Sequence, residues 1–258
     1  MSDDLQRALD FTSWFENSCA DEAVPWRWGV TLFTRAFPNV YMLNFVRVEG
    51  RPVDLNFDEL VAEADELHGR AGHHHRDIVV KDPGLGAALA PEFKRSGWQV
   101  STLLIMAYRN GGDFPATDLE VRELTSDELR AVRAHSLATG PWAKDTDKIR
   151  QLIAADALRA GAAGARFFGA LVDGQAVSSA DLYSDGTTAQ VESVVTQEPY
   201  RGRGLGRAVV SETVRAAIDS GHDLVFLLTD DDDWPKELYA RMGFEPLGRF
   251  YDFLKTLG

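Results

Sequence analysis

One cysteine, Cys19, stands in 258 residues, so no disulfide can close within the chain. No apolar run approaches the roughly 18–20 residues that a membrane-spanning helix needs. The start, Met1-Ser2-Asp3-Asp4, lacks the basic residues and apolar core of a secretion signal. Basic residues are also scarce: 27 Lys and Arg face 40 Asp and Glu, a formal net charge of −13. A chain so acidic repels phosphate backbones, which argues against a nucleic-acid partner and tilts toward a cationic substrate. These absences predict a cytoplasmic protein that engages neither membrane nor nucleic acid. What is present is core material, with 45% of residues apolar. A chain of this length most naturally forms two domains of modest size.

Against the acidic background one segment is basic and rich in glycine: Pro199-Tyr200-Arg201-Gly202-Arg203-Gly204-Leu205-Gly206-Arg207. Before it, Gln190 to Thr196 alternates as a strand does. After it, Leu205, Val209, Val214 and Ala217/Ile218 recur at helical spacing. The order is strand, glycine turn, helix. Glycines let the backbone turn tightly and let a ligand approach the amides. A helix N-terminus offers unpaired N–H groups and partial positive charge, a combination that binds phosphate. Arg201, Arg203 and Arg207 put cations where a free helix favours acids, which points to an anionic ligand. A Walker loop requires Gly-Lys-Ser/Thr, but Gly206-Arg207-Ala208 stands here. A dinucleotide fingerprint requires a third glycine where Arg207 stands, and it usually opens a chain's first βαβ unit. The pattern R/Q-x-x-G-x-G/A is met in full by Arg201, Gly204 and Gly206.

Further on, Leu224-Val225-Phe226-Leu227-Leu228 suits a buried parallel strand. Asp230 to Asp233 and Trp234-Pro235 follow, with an Asp placed to cap a helix through Met242 that stops at Gly243. Leu238-Tyr239-x-x-x-Gly243-Phe244 lies in that helix and its end. In this order the two motifs resemble the GNAT superfamily of acyl-CoA-dependent N-acyltransferases, with its pyrophosphate loop and its L-Y-x-x-x-G-F signature. The upstream sequence agrees. Leu119 to Leu124 reads as a strand, and Ser126 to Leu137 and Thr146 to Ala160 read as helices. Two alternating runs flank the hairpin turn Asp173-Gly174.

Residues 1–115 carry no such motif, yet they echo the second half. Asp77 to Val80 aligns with Asp223 to Phe226, and Phe93 to Trp98 with Tyr239 to Phe244, at one offset of 146 without a gap. Phe57 to His68 then falls on the helix from Leu205, and Val40 to Val48 on residues 186–194. Similarity at a domain-sized offset means duplicated folds. The loop's counterpart, Leu55 to Leu60, has no glycine and has acids where phosphate would sit, and Phe93 matches Tyr239. This resembles tandem-GNAT proteins with one active and one degenerate domain. The expected architecture is α/β with a mixed sheet in each of two GNAT-like domains. Residues 1–115 form the degenerate copy, residues 116–258 the catalytic one, and Asn110 to Pro115 the linker.

The resemblance implies acetyl-CoA as cosubstrate and direct acetyl transfer to a small-molecule or peptide amine. Main-chain groups of Val194, Val195 and Thr196 would hold the pantetheine arm and acyl carbonyl. The amides and side chains of Arg201, Gly202, Arg203, Gly204, Leu205, Gly206 and Arg207 would hold the pyrophosphate. Tyr239 is the candidate acid and Glu192 the candidate base, with Asp181 and Asp233 as weaker alternatives. Selectivity is expected from residues 126–160, including a loop at Gly140-Pro141-Trp142. A non-catalytic acyl-CoA-binding or interaction module is the alternative, and the intact Tyr239 and complete loop favour the enzyme. No metal is expected: neighbouring His73, His74 and His75 point different ways, and Asp230 to Asp233 serve a turn. Trp26-Arg27-Trp28 is read as packing.

Overall fold

The computed structural model describes residues 2–110, 114, 117–139 and 145–257. The first part of the chain contains α1 (Asp3–Cys19), β1 (Glu22–Trp26), β2 (Gly29–Phe33), β3 (Asn44–Val48), α2 (Phe57–Arg70), β4 (His75–Val80), α3 (Pro83–Arg95) and β5 (Gln99–Tyr108). Then follow β6 (Glu120–Leu124), α4 (Arg130–Thr139), α5 (Thr146–Ala162), β7 (Arg166–Val172), β8 (Gln175–Ser184) and β9 (Thr188–Thr196). The last elements are α6 (Leu205–Asp219), β10 (Leu224–Asp230), α7 (Pro235–Arg241) and β11 (Phe244–Thr256). No described helix is long and apolar enough to cross a membrane.

The chain makes two compact units. Unit 1 comprises Met1–Phe11, Ile105–Thr229 and Trp234–Leu247; unit 2 comprises Thr12–Leu104, Asp230–Asp233 and Gly248–Gly258. Neither unit is a contiguous half of the chain. Unit 1 takes the end of β5 from before residue 115, and unit 2 takes the end of β11 from after it.

In unit 2 the strand order is β1-β2-β3-β4-β11-β5. The strands β3 and β4 run parallel, from Val46 opposite Ile78 to Val48 opposite Val80. Both strands are buried along their length, as parallel strands covered by helices are. The α2 and α3 helices supply that cover, and Leu60, Ile78, Phe93 and Phe253 are fully buried in the core. A strand expected over Val40 to Val48 is shorter: Tyr41–Leu43 make a turn of 3-10 helix first. There the Asn44 side chain accepts from Thr34 N–H and donates to the carbonyls of Phe37 and Val40, which folds the segment on itself.

In unit 1 the order is β11-β5-β10-β9-β8-β7-β6. The strands β6 to β9 form an antiparallel meander, and β10 joins β9 in parallel. Asp173 (φ 51°) and Gly174 (φ 76°) make the tight turn between β7 and β8, as their sequence predicts. The α6 helix packs its apolar face on β7, β8 and β9. The helix expected from Ser126 starts only at Arg130. Thr125 and Glu128 exchange reciprocal side-chain and backbone hydrogen bonds, the chemistry of a helix-entry box, and the residues between them turn instead.

Candidate active site

The parallel strands β9 and β10 pair from Thr188 opposite Leu224 to Val191 opposite Leu227, and the pairing ends there. Yet β9 continues to Thr196 and β10 to Asp230. A bulge explains the parting. On the other side of β9, Asp181 faces Glu192 while Ser179 faces Val195, so Ser193 and Val194 stand against Ala180 alone. Ser193 adopts φ 52°, a conformation unfavourable for a residue with a β-carbon. The divergence leaves a cavity of about 270 Å³, bounded by Glu192, Ser193 and Val194 on one strand and by Leu228 and Thr229 on the other. Main-chain groups of Val194 to Thr196 have no partner in β10.

Tyr239 closes this cavity from α7. It is 8% exposed and meets Phe244 edge-on at 5.9 Å between ring centres. Burial, and then the charge of Glu192, pushes its phenol up to about 12. Glu192 lines the same cavity, and both its oxygens are engaged: Arg159 donates at 3.3 Å and Gln190 at 2.7 Å. The structure thus brings Tyr239 and Glu192 together. Asp181 stands directly across from Glu192 on β8 but does not line this cavity, and both its carboxylate oxygens accept from Arg133 at 3.0 Å. Burial raises Asp181 to about 6, with Arg133 working against the shift. Asp233 belongs to the turn before α7, where its N–H donates to Asp230 O. It does not cap the helix as its position suggests: Trp234 is the N-cap residue, in helical conformation and with no side-chain cap bond.

The glycine loop follows β9. Gly202 (φ 75°) and Gly204 (φ 81°) both occupy the left-handed region. Gly204 is the N-cap of α6, with no side chain capping it and no acid in the first turn. The first N–H groups of a helix have no partner within it, so here they point outward unopposed. The loop is anchored to β9: Arg201 Nε donates to Thr196 O at 3.2 Å, and a β-carbon on Gly206 would come within 3.2 Å of Thr196 Oγ1. Arg203 lies over the Tyr200 ring at 5.2 Å and donates to Pro199 O. Arg207 is exposed as the third residue of the helix. Leu205 is buried and anchors the first turn.

Sequence reasoning missed the charges gathered behind the bulge. Arg133 comes from α4 and Asp156 and Arg159 from α5, around Asp181 and Glu192. Their only signal was spacing on helices that read as ordinary amphipathic segments. The loop at Gly140-Pro141-Trp142 lies outside the described residues.

In unit 2, His73 and His75 do turn inward, and they meet His68, which the sequence did not suggest. Their ring nitrogens lie within 4.8 Å of one another. His68 Nδ1 and His73 Nδ1 share a hydrogen bond at 3.1 Å, and His75 Nε2 donates to Asn44 O at 2.9 Å. Burial, and then His75, pushes His68 down to about 3. The nearby Arg76 charge opposes a further cation. Trp26 and Trp28 pack edge to face at 5.7 Å, with Arg27 over the Trp28 ring at 4.3 Å.

Residues 123–244 match the sequence model of the acetyltransferase (GNAT) family. No curated protein matches the chain. A functionally unknown conserved protein from Staphylococcus epidermidis superposes with a TM-score of 0.74 at 15% identity, over 91% of this chain and 94% of that one. A GCN5-related N-acetyltransferase from Kribbella flavida gives 0.62 at 20% identity, over 100% and 97%. A tandem GNAT protein from the clavulanic acid biosynthesis pathway gives 0.56 at 20% identity, over 83% and 75%. At such identities the likeness is one of fold, two GNAT-like domains in one chain.

Proposed function

Residues 123–244 belong to the acetyltransferase (GNAT) family, and from that premise we propose that the protein is an acetyl-CoA-dependent N-acetyltransferase. It moves the acetyl group directly from the CoA thioester to an amine. Its chemistry resides in residues 116–258, and the 1–115 copy performs none. The observation that carries this reading is the start of α6: an uncapped helix N-terminus, reached through two left-handed glycines and flanked by three arginines, beside a strand edge that has lost its partner.

The residues fit such a cosubstrate. Amides from Gly202 to Arg207 would hold the pyrophosphate, helped by Arg201, Arg203 and Arg207. The open edge of Val194, Val195 and Thr196 would pair with the amides of the pantetheine arm. An N–H on that edge would donate to the oxyanion that develops at the thioester carbonyl. An alkyl amine, with a pKa near 10.4, arrives protonated. Glu192 would take that proton, directly or through water, and the nitrogen lone pair then attacks the carbonyl carbon. As the C–N bond forms and the C–S bond breaks, Tyr239 would donate to the departing sulfur. A phenol held at about 12 keeps its proton across the neutral range, which suits a donor.

The test is calorimetry of the full chain with acetyl-CoA, followed by free-CoA release on a panel of amines. Stoichiometric binding and amine-dependent release are expected. Binding without release for any amine would favour the non-catalytic module, and absence of binding would end the proposal.

A further inference from the structure

A second cavity, of about 190 Å³, lies on the other side of the bulge. Its walls include Arg133 from α4, Asp156 from α5, Ser179 from β8, and Ser193 and Val194. Ser193 and Val194 also line the cavity of Tyr239 and Glu192, so the two spaces meet at the bulge. A third cavity of about 220 Å³ shares Arg133, Leu137 and Asp156 with the second, and is otherwise bounded by Ala134, Ile153, Ala157 and Ala160 together with Ser126, Asp127 and Arg130.

The charges around the second cavity can be counted. Arg133 is bound through one nitrogen to both oxygens of Asp181. Arg159 is paired with Glu192. Asp156 is the fifth group, partly buried, within the fields of both arginines and of Glu192. It makes neither a hydrogen bond nor an ion pair with any described residue. Among the described residues of this cluster, three carboxylates therefore stand with two guanidinium groups, and the carboxylate without a partner opens onto the cavity. Burial raises the Asp156 carboxyl, with the charges of Arg159 and Arg133 working against the shift. A cation bound there completes the set. An anion meets only arginines that already have partners, and Asp156 and Glu192 repel it.

On the reading of the protein as an N-acetyltransferase, we propose that Asp156 binds the ammonium group of the acceptor. The acceptor is then a small primary monoamine on a short apolar tail, with no carboxylate or phosphate beside the amine. The ammonium sits against Asp156 next to the bulge, and the tail extends into the alanine- and isoleucine-lined cavity.

The experiment uses the full chain, acetyl-CoA, and probes matched but for one carboxylate: 2-phenylethylamine against phenylalanine, and isopentylamine against leucine. The expected kcat/KM for each amine exceeds that for its amino acid by about 100-fold or more, the scale of an unpaired like-charge contact. Asp156→Asn should raise the amine KM by about tenfold, the loss of one charge-assisted hydrogen bond. Asp156→Glu, which keeps the charge, should recover part of it. Acetyl-CoA affinity, read separately by calorimetry, should not move in either variant. Equal use of the amino acids overturns the assignment. So does an unchanged amine KM in Asp156→Asn, or acetyl-CoA binding with neither amine turned over. Absence of acetyl-CoA binding by the unmodified chain is a different failure, that of the acetyltransferase reading itself.

Discussion

The helices α2 and α6 stand at the same point of two similar strand–turn–helix–strand segments, and their first turns are opposites. Asn56 caps α2 by accepting from Glu59 N–H at 3.0 Å, and Asp58 and Glu59 complement the helix dipole. In α6 a left-handed glycine holds the cap position, and arginines replace the acids. One helix satisfies its own N-terminus, and the other leaves it without a side-chain cap. The strands before them differ in the same sense. In unit 2, β3 ends at Val48, still paired with Val80, whereas β9 runs on past its last partner. Where Tyr239 borders a cavity, Phe93 is fully buried and stacked on Phe253 at 4.0 Å. On a similar frame, unit 2 has a packed aromatic and a capped helix where unit 1 has a cavity and an uncapped one.

The largest expected effect breaks the contrast at the helix start. Gly204→Glu places a carboxylate in the phosphate cradle and a β-carbon at φ 81°. Acetyl-CoA affinity should fall by roughly 100-fold or more in calorimetry, from like-charge repulsion. The mirror change, Asn56→Ala, should lower unfolding stability by about 1 kcal/mol in urea and leave that affinity unchanged. Loss of affinity in Asn56→Ala would mean that the two helices do not divide the work. Next comes Tyr239→Phe, which copies the residue at 93. Turnover should fall by about 10²–10⁴, the usual loss with a positioned general acid, while acetyl-CoA affinity stays within a few-fold. Unchanged turnover would show that the sulfur leaves without this donor.

Much of this contrast was legible beforehand, because glycines, prolines and aromatic spacing act locally. The loop from Arg201 to Arg207, the turn at Asp173-Gly174 and the helices α2 and α6 follow from residues within a turn of one another. The bulge at Ser193 did not announce itself, since nothing in Glu192-Ser193-Val194 differs from an ordinary strand. A gapless offset between the halves also hid it. The pairing sets Val48 level with Gln190, four residues short of the alignment that matched Val48 to Val194. The residues of β9 beyond that point have no equivalent in β3. The pairs Arg133–Asp181 and Arg159–Glu192 join positions 48 and 33 residues apart, a separation over which a single sequence carries no signal. The same holds for the exchange of segments between units. Expression of residues 116–258 alone would deprive unit 1 of Met1–Phe11 and of Ile105–Tyr108.

A smaller effect should come from the reverse aromatic change. Phe93→Tyr adds a hydroxyl among Phe57, Trp98 and Phe253, all within ring contact of Phe93. Burying it unbonded should lower stability by about 1–3 kcal/mol, read as a shifted urea midpoint with unchanged slope. Acetyl-CoA stoichiometry should not rise. A second bound equivalent would show that the packing around Phe93 is not what keeps the cosubstrate out of unit 2.

The buried acids divide along the same line. In unit 1, Asp181 has an arginine to hold it ionised. In unit 2, Asp77 and Asp252 are buried within each other's field, each with an oxygen that has no hydrogen-bond partner among the described residues, and Glu16 from α1 adds a further negative field. Burial pushes both up, Asp252 to about 6, and the charge of Asp252 raises Asp77 further. An unfolded aspartate titrates near 3.9. Between that value and the folded one, the folded state binds more protons than the unfolded state. The pair's contribution is therefore fully present below about pH 4 and is lost as pH rises through about 6. Asp252→Asn leaves an amide that can donate to Asp77, and it removes one of the two charges. The variant should be more stable than the unmodified chain by about 1–2 kcal/mol at pH 8, discounting the full shift for relaxation. That advantage should vanish near pH 4. Urea unfolding at both pH values reads the difference directly. A variant that is equally destabilised at both would mean that Asp252 serves as an ordinary hydrogen-bond acceptor, and that the two carboxyl groups do not share a proton.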